Sequence, residues 1–512
     1  MESTTSNNKR IAKNTAFLYL RMLLTSFLSL YTARLILKVL GVEDFGIYNV
    51  VGGVVTFMGF LTASLSSATQ RFLAFDLGKN DGNEFGKTFS MLINIYMAFC
   101  VIALVVLEIV GPIYINHYMT IPQGRITAAH WVFQFSLASF LVSTFSVPFR
   151  SSIVAYEIMG VYAYVGIIES VLQLLIVVGL QYIDYDHLVI YGLFMCILHI
   201  GITLSMIMYS KYKLEFCKYQ RYWNADRFKE LISYSGWNLF GSTTGVMNIQ
   251  GQAIVLNYFF GPVVNAAKAI ADRVNGIISM FAQNFYMAVT PQIIKSYAAG
   301  NIDYTRSLVL NSSRYSYFLL FIIALPIYAV MEPLLALWLG QEQVSEEMVK
   351  FCQCVLLYAC IDILEKPITM AVRATGDIKR YQILVGSLTL TFIPLCIIIF
   401  LLGAPAYASV LLLAVVNFIV LFIRIHIVCP IIKTTQREYA LAVLLRISLT
   451  TIMSLLISLL LLYYIPADGF FWLVRGALVL FVCIIVIFFV GLKIEERKMI
   501  IDIVRNRVIS KP

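Results

Sequence analysis

The sequence predicts an all-α polytopic membrane protein with about fourteen transmembrane helices, arranged as two parallel-repeat lobes of six helices plus two C-terminal helices. The 512 residues are 60% hydrophobic and 13% charged, whereas soluble proteins are about 45–50% apolar and about 25% charged. The apolar residues fall in runs near the length of about 20 residues that a helix needs to cross a bilayer. The first two of these runs contain more polar residues than membrane helices usually do, and a similar pair recurs later in the chain.

Fourteen apolar stretches are candidate spans, and turn-forming pairs such as Gly111-Pro112 and Gly261-Pro262 separate many of them. No connection is long enough for a folded domain outside the membrane. The longest, 210–230, is basic and aromatic, which predicts an amphipathic linker at the membrane surface. The predicted spans are 13–39, 45–73, 89–113, 127–149, 161–181, 188–209, 231–258, 263–290, 308–330, 348–372, 382–402, 407–428, 441–464 and 471–491.

The basic residues of the loops lie almost entirely on one side of this arrangement. An even number of spans puts both termini on the same side, where loops and span ends contain 26 Lys and Arg residues. The opposite loops contain one, Arg125. The positive-inside rule therefore places both termini in the cytoplasm. The net charge of +10 is explained by topology and by attraction to membrane lipid, and it does not indicate nucleic-acid binding.

The opening hairpin, residues 11–72, reappears at 236–301, with Gly41 matching Gly261 at an offset of 220. A second region repeats at nearly the same offset: Pro148 matches Pro367 and Glu157 matches Asp377. This offset contains six spans, so both copies cross the membrane in the same direction, as in parallel-repeat transporters.

The repeat divides the chain into four predicted parts. These are an N-terminal six-helix lobe at 1–210, the cytoplasmic amphipathic linker at 211–230, a C-terminal six-helix lobe at 231–430, and two extra transmembrane helices with a cytoplasmic tail at 431–512.

The two hairpins are polar for membrane helices, and we expect them to face each other across the lobe interface, where substrate sites lie in such architectures. A charge near the middle of a span costs about 2.5–3.5 kcal/mol to insert. The basic residues there predict a cationic cavity for an anionic group, with phosphate favoured because arginine binds it through two hydrogen bonds. The alternative is structural pairing with Glu108, Glu169, Asp272 or Glu365. The candidates, in order, are Arg34 and Arg273, then Arg21, Lys268 and Arg314.

Four acids within the spans are candidates for coupling transport to H⁺ or Na⁺, with structural pairing as the alternative; they are Glu108, Glu169, Asp362 and Glu365. Lys366 follows Asp362 by four residues and Asp272 follows Lys268 by four, which predicts an ion pair on each helix. The nine cysteines form no CxxC motif and no cluster with histidine. We therefore expect no metal site, no disulfide framework and no cofactor beyond a coupling ion or the membrane potential.

The first hairpin has the pattern Arg34-x6-Gly41-Val-Glu-Asp-Phe-Gly46-x-Tyr48, followed by Thr69-Gln70-Arg71-Phe72. This pattern resembles bacterial polysaccharide flippases of the multidrug/oligosaccharidyl-lipid/polysaccharide (MOP) exporter superfamily, the O-antigen, Wzx-like lipopolysaccharide biosynthesis proteins. The segments around Pro122 and Pro148 resemble their Bacteroidetes-type members. The resemblance covers essentially the whole chain, and the first hairpin is its most specific part.

The resemblance implies a MATE-like fold and a non-enzymatic function in the bacterial inner membrane. The protein would move undecaprenyl-pyrophosphate-linked oligosaccharide, an O-antigen or capsule repeat unit, to the periplasmic leaflet by alternating access. Its basic cavity would bind the pyrophosphate, a role that falls on Arg34 and Arg273 here. Polysaccharide polymerase machinery would be a further partner.

Three alternatives remain at this stage. A MATE-type drug or cation antiporter would need acids in the cavity, but basic residues outnumber acids in the polar hairpins. A peptidoglycan-precursor flippase would have the same fold. A membrane polymerase or ligase would carry a large periplasmic loop, whereas the largest here, 331–347, is short and acidic. The sequence leaves open the sugar structure and the coupling ion.

Overall fold

The computed structural model describes residues 4–57, 59–79, 82–117, 121–465, 471–498 and 501–502, and these residues are almost entirely helical with no strand. The first seven helices are α1 (Thr4–Phe57), α2 (Gly59–Gly78), α3 (Gly82–His117), α4 (Ile126–Phe145), α5 (Val147–Ala155), α6 (Met159–Leu180) and α7 (His187–Lys213). They are followed by α8 (Ala225–Phe260), α9 (Pro262–Ala298), α10 (Ile302–Ala329), α11 (Met331–Leu339), α12 (Glu346–Thr375), α13 (Lys379–Leu390), α14 (Phe392–Leu401), α15 (Ala408–Ile431), α16 (Gln436–Tyr439), α17 (Leu445–Tyr463) and α18 (Phe471–Val486).

The predicted fold class is confirmed, because every predicted span coincides with one of these helices or with two consecutive ones. By length and composition alone, nine helical segments of the described ranges could cross a membrane. The five predicted spans outside this set are the four that form the polar hairpins and span 348–372. These five lie on α1, α2, α8, α9 and α12.

Two glycines mark equivalent breaks in the repeat. Gly41 interrupts α1 with φ 78° and ψ 170°, and Gly261, with φ 79°, separates α8 from α9. Positive φ is costly for residues with a Cβ and easy for glycine. The predicted spans leave residues 40–44 as a connection, but the helix resumes directly after Gly41, so the break is one residue wide.

A second equivalent break shows that the match between the two copies was displaced by one residue. Helices α4 and α5 together correspond to the continuous helix α12. In the first copy the chain then turns at Glu157, with φ 63°, and in the second it turns at Gly376, with φ 86°. Glu157 therefore corresponds to Gly376 and not to Asp377 as the sequence suggested. A glutamate occupies a left-handed conformation that the other copy gives to glycine.

The chain folds into two compact units: unit 1 is Met1–Leu239 with Thr290–Gly300, and unit 2 is Phe240–Val289 with Asn301–Pro512. Helices α8 and α9 therefore contribute to both. The main core of unit 1 lies among α1, α4, α6 and α7, where Val51, Phe133 and Leu180 are completely buried. In unit 2, α12 packs against α10 and α15 and buries Phe351 and Ile368 completely.

Arg125, the single basic residue of the predicted periplasmic loops, ties together one end of unit 1. Its guanidinium forms an ion pair with Asp44 and a second one, at 2.6 Å, with Asp186. Asp186 also caps α7 by accepting from the backbone N–H groups of Leu188 and Val189. A single arginine thus connects α1, the short helical turn before α4, and the start of α7.

The strained Glu157 fastens the end of α9 to unit 1. Its buried carboxylate accepts from Lys295 Nζ at 2.7 Å and from the side-chain amide of Gln292. Its backbone carbonyl accepts from Asn14 Nδ2 at 3.0 Å. The left-handed backbone at Glu157 is held by contacts to two distant parts of the chain, which is how such strain persists in a folded protein.

Candidate functional site

Unit 2 contains a cavity of about 400 Å³ lined by α8, α12, α13 and α15. Its charged lining residues are Asp362, Glu365, Lys366, Arg373 and Arg424. The first three lie on one face of α12 because residues three and four apart on a helix are neighbours. Two of the predicted coupling acids, Asp362 and Glu365, are therefore brought together here.

Both acids form ion pairs. Lys366 Nζ lies 2.8 Å from Asp362 Oδ2 and 2.7 Å from Glu365 Oε1, so the predicted Asp362–Lys366 pair is confirmed. Glu365 forms a second ion pair with Arg424 of α15. Two carboxylates are thus paired with two cations, and Arg373 lines the same cavity. The pairing allows these charges to lie inside a membrane helix, because an isolated charge there would lose its hydration without compensation.

Phenol and alcohol side chains complete the cluster. Arg424 Nη1 donates to Tyr381 Oη at 2.9 Å and to Thr369 Oγ1 at 3.2 Å, and those two oxygens lie 2.6 Å apart. Tyr358 Oη donates to Asp362 Oδ1 at 3.4 Å. The guanidinium and both carboxylates are therefore fixed by several partners each, which orients them rigidly toward the cavity.

The other two predicted coupling acids lie in unit 1 and also have polar partners. Glu108 is exposed on α3, where it accepts from Gln134 Nε2 at 3.2 Å. Glu169 on α6 lies 3.7 Å from His199 Nε2 on α7. All four intramembrane acids named from the sequence thus have an identified partner in the structure.

The predicted basic residues of unit 2 have different environments. Lys268 is buried and pairs with Asp272 at 2.5 Å, which confirms the predicted pair. Arg314 is only 1% exposed and pairs with Glu496, which also accepts from Tyr315 Oη at 2.7 Å. Both residues therefore form structural ion pairs, which was the alternative to binding a ligand. The partner of Arg314 lies far along the chain and was not foreseen.

Arg21 and Arg273 have no carboxylate partner among the described residues. The guanidinium carbon of Arg21 lies 4.6 Å from the centre of the Tyr162 ring, and its buried Nε has no hydrogen-bond partner in the described part of the chain. Arg273 is exposed on α9. The side chain of Arg34 lies outside the described residues. Arg21 and Arg34 belong to unit 1, and the other three candidates belong to unit 2.

Sequence reasoning missed two important residues. Arg424 was not among the candidate residues named from the sequence, but it is 7% exposed and paired with Glu365. Only the contact between α12 and α15 reveals this. Glu157 was noted solely as part of the repeat, although its buried carboxylate binds Lys295 and Gln292. One feature of the sequence could have identified Glu157: it is an acid at a position where the second copy has glycine.

Comparison with known proteins agrees with this architecture. A family model described as MatE matches residues 245–398, and no curated protein sequence matches the chain. Solved structures extend the similarity over most of the chain. An outward-facing multidrug resistance MATE family transporter of the MOP superfamily superposes with a TM-score of 0.71 at 12% identity, covering 84% of this chain and 97% of that one. The chain has the MATE-transporter fold.

Two further structures share this fold. The Vibrio cholerae MATE transporter VcmN in its bent form has a TM-score of 0.66 at 18% identity, covering 86% of this chain and 100% of that one. A MOP superfamily transporter from Pyrococcus furiosus has a TM-score of 0.70 at 11% identity, covering 84% and 97%. The latter is described as having a binding pocket of reverse polarity that suggests a different function.

Proposed function

We propose that this chain is a flippase that moves undecaprenyl-pyrophosphate-linked oligosaccharide from the cytoplasmic to the periplasmic leaflet of a bacterial inner membrane by alternating access. One observation carries the proposal. Every intramembrane acid named above has a polar or cationic partner, whereas Arg21 and Arg273 have no carboxylate partner in the described residues. The two arginines are therefore available to an anionic group of a cargo.

The proposed ligand of these arginines is the pyrophosphate. A guanidinium donates to phosphate oxygens through two parallel hydrogen bonds, and such bonds are stronger where water is excluded. We assign the main contacts to Arg34 and Arg273, with Arg21 in support. Lys268 and Arg314 take part only if Asp272 and Glu496 release them. The distribution of basic loop residues supports cytoplasmic termini.

A drug or cation antiporter is the second candidate, because the matched family model is MatE and a multidrug transporter shares the fold. A cationic drug requires a free carboxylate, and in this chain Asp362 and Glu365 are bound to Lys366 and Arg424. The reverse pocket polarity described for the Pyrococcus furiosus protein is a precedent for such a departure within the fold. Coupling to H⁺ or Na⁺ through these acids would first require an ion pair to open.

The proposal is tested in a deletion strain by measuring lipid-linked oligosaccharide inside the cell and polysaccharide on the surface. We expect undecaprenyl-linked repeat units to accumulate and surface polysaccharide to disappear. Arg273→Ala should restore less than about a tenth of wild-type export, because a charge-assisted hydrogen bond contributes about 1.5–3 kcal/mol. Arg306→Ala is the matched control, since Arg306 pairs with Asp303 in an exposed segment, and it should restore export fully.

Normal surface polysaccharide in the deletion strain, together with raised sensitivity to cationic drugs, would contradict the flippase and support the antiporter. A block in peptidoglycan synthesis with normal surface polysaccharide would instead identify the saccharide as a peptidoglycan precursor.

A further inference from the structure

Unit 1 contains a second cavity of about 400 Å³, lined by α1, α2, α4 and α7. This volume falls within the range of about 300–1,000 Å³ that small-ligand pockets occupy. Its polar lining consists of the Cys196 thiol, the His199 imidazole and six hydroxyl groups, which belong to Tyr48, Thr62, Ser136, Ser139, Ser143 and Thr144. None of the residues described around it is Asp, Glu, Lys or Arg.

The repeat shows how different the two cavities are. At the offset of 219 residues, Ser143 corresponds to Asp362 and Val147 corresponds to Lys366. One helix face that carries an ion pair in unit 2 carries a hydroxyl and an aliphatic side chain in unit 1. The two cavities therefore have similar volumes and share equivalent positions on α4–α5 and α12, but among the described lining residues carboxylates, lysine and arginine occur in the cavity of unit 2 alone.

The hydroxyls suit a ligand that both donates and accepts hydrogen bonds. Ser139 Oγ donates to the Phe135 carbonyl at 2.8 Å, which leaves its oxygen lone pairs for a ligand. Ser143 Oγ lies 3.5 Å from Arg150 Nη1, which donates to it. A serine hydroxyl has one donor and two acceptor sites. The described lining contains no carboxylate, lysine or arginine that would compensate a buried ion for its lost hydration, whereas a polyol would exchange water for matched hydroxyls.

Aromatic rings form the apolar part of the lining. Phe135 is stacked on Trp131 with ring centres 5.7 Å apart, and Tyr48 packs on Tyr191 at 4.8 Å. These contacts hold both rings in place. An aromatic face carries partial negative charge, so it attracts the C–H bonds of a sugar ring, which are polarised by neighbouring oxygens. Hydroxyl donors beside fixed aromatic faces therefore form a site that suits an uncharged sugar.

We propose that the cavity of unit 1 binds a neutral sugar of the transported saccharide, separately from the arginines that bind its pyrophosphate. The inference rests on the proposed function, because it assigns to unit 1 the recognition of one part of that cargo. It predicts that the chain prefers a glycosylated lipid over the bare lipid pyrophosphate, and that the preference resides in the hydroxyls of α4.

The test compares two probes in vesicles reconstituted with the full-length protein: undecaprenyl pyrophosphate alone, and the same lipid carrying one N-acetylglucosamine. We expect the wild type to move the glycosylated probe about tenfold faster. The double variant Ser136→Ala/Ser139→Ala should move both probes at the rate of the bare lipid, because two lost hydrogen bonds of about 0.5–1.5 kcal/mol each correspond to about tenfold or more. Ser205→Ala is the matched control, since Ser205 Oγ donates to a carbonyl of its own helix outside this cavity.

The outcomes separate the two proposals. Equal wild-type rates for both probes, or a preference that survives in the double variant, would overturn the sugar site and leave the flippase intact. Failure of the wild type to move either probe would overturn the proposed function and the sugar site with it. Phe140→Ala, which removes an aromatic wall, is a second variant with the same expected loss of preference. Thermal unfolding of each variant shows whether it is folded.

Discussion

At the residue scale, the charged cluster of unit 2 is the feature on which the proposed distinction from a cation exporter depends. Its acids are bound by Lys366 and Arg424. An ammonium and a guanidinium of the chain itself thus neutralise these two carboxylates. The sequence predicted one of these pairs from spacing along α12, but the Arg424 pair depends on the packing of α15 against α12 and had no local signal.

Removing one member of the Glu365–Arg424 pair should be costly. Arg424 is 7% exposed, and breaking a buried ion pair costs about 3–5 kcal/mol because it leaves an uncompensated charge. We expect Arg424→Leu to lower the free energy of unfolding by about 3 kcal/mol, as measured by denaturant titration in detergent. The double variant Glu365→Gln/Arg424→Leu should recover much of this loss. Additive effects of the two substitutions would show that the pair does not interact as described.

At the element scale, the two helix breaks of the repeat explain why the polar hairpins form. The sequence located both hairpins because Gly41 and Gly261 lie between long apolar runs at a common offset. It could not show the width of the break, since Val-Glu-Asp-Phe-Gly is compatible with a turn or a helix. The structure confines the break to one glycine with positive φ in each copy.

Alanine at either break should destabilise the protein. A left-handed conformation costs a residue with a Cβ about 1–2 kcal/mol, and a Cβ at Gly41 or Gly261 would meet no atom within 4 Å, so backbone strain is the whole effect. We expect Gly261→Ala to lower the unfolding free energy by about that amount. Gly201→Ala is the control: Gly201 lies in α7 with open space around it, so alanine should be neutral or stabilising by up to about 1 kcal/mol. Equal effects at both positions would contradict the assignment.

The contact between Glu157 and the end of α9 could not be predicted from the sequence, because it joins residues that are far apart in the chain. Glu157 and Lys295 are 138 residues apart, and neither lies in a motif that indicates a partner. The offset between the copies did place Glu157 in a repeated turn. Only the backbone angle shows that this acid occupies a glycine-like conformation, which its side-chain contacts stabilise.

At the scale of the whole molecule, hydropathy and the internal repeat were sufficient to predict the fold class. Fourteen spans, their duplication and the fold class follow from run lengths, turn residues and one repeated hairpin, since helices are the natural solution for apolar runs in lipid. The cargo is harder to predict, because each charge in a span can serve either a ligand or a neighbour. The structure assigns carboxylate partners to Lys268 and Arg314, which is why the proposed function relies on Arg34, Arg273 and Arg21 instead.

The central claim is that the cargo is an anionic lipid-linked saccharide. The most direct measurement is its movement between leaflets in vesicles that contain only the purified protein. A fluorescent undecaprenyl-pyrophosphate-linked sugar is placed in both leaflets, and a membrane-impermeant quencher is added outside. We predict that the protein renders the inner pool accessible much faster than in protein-free vesicles, and that Arg273→Ala abolishes the effect. An unchanged inner pool, in vesicles where the same protein expels a cationic dye, would contradict the account.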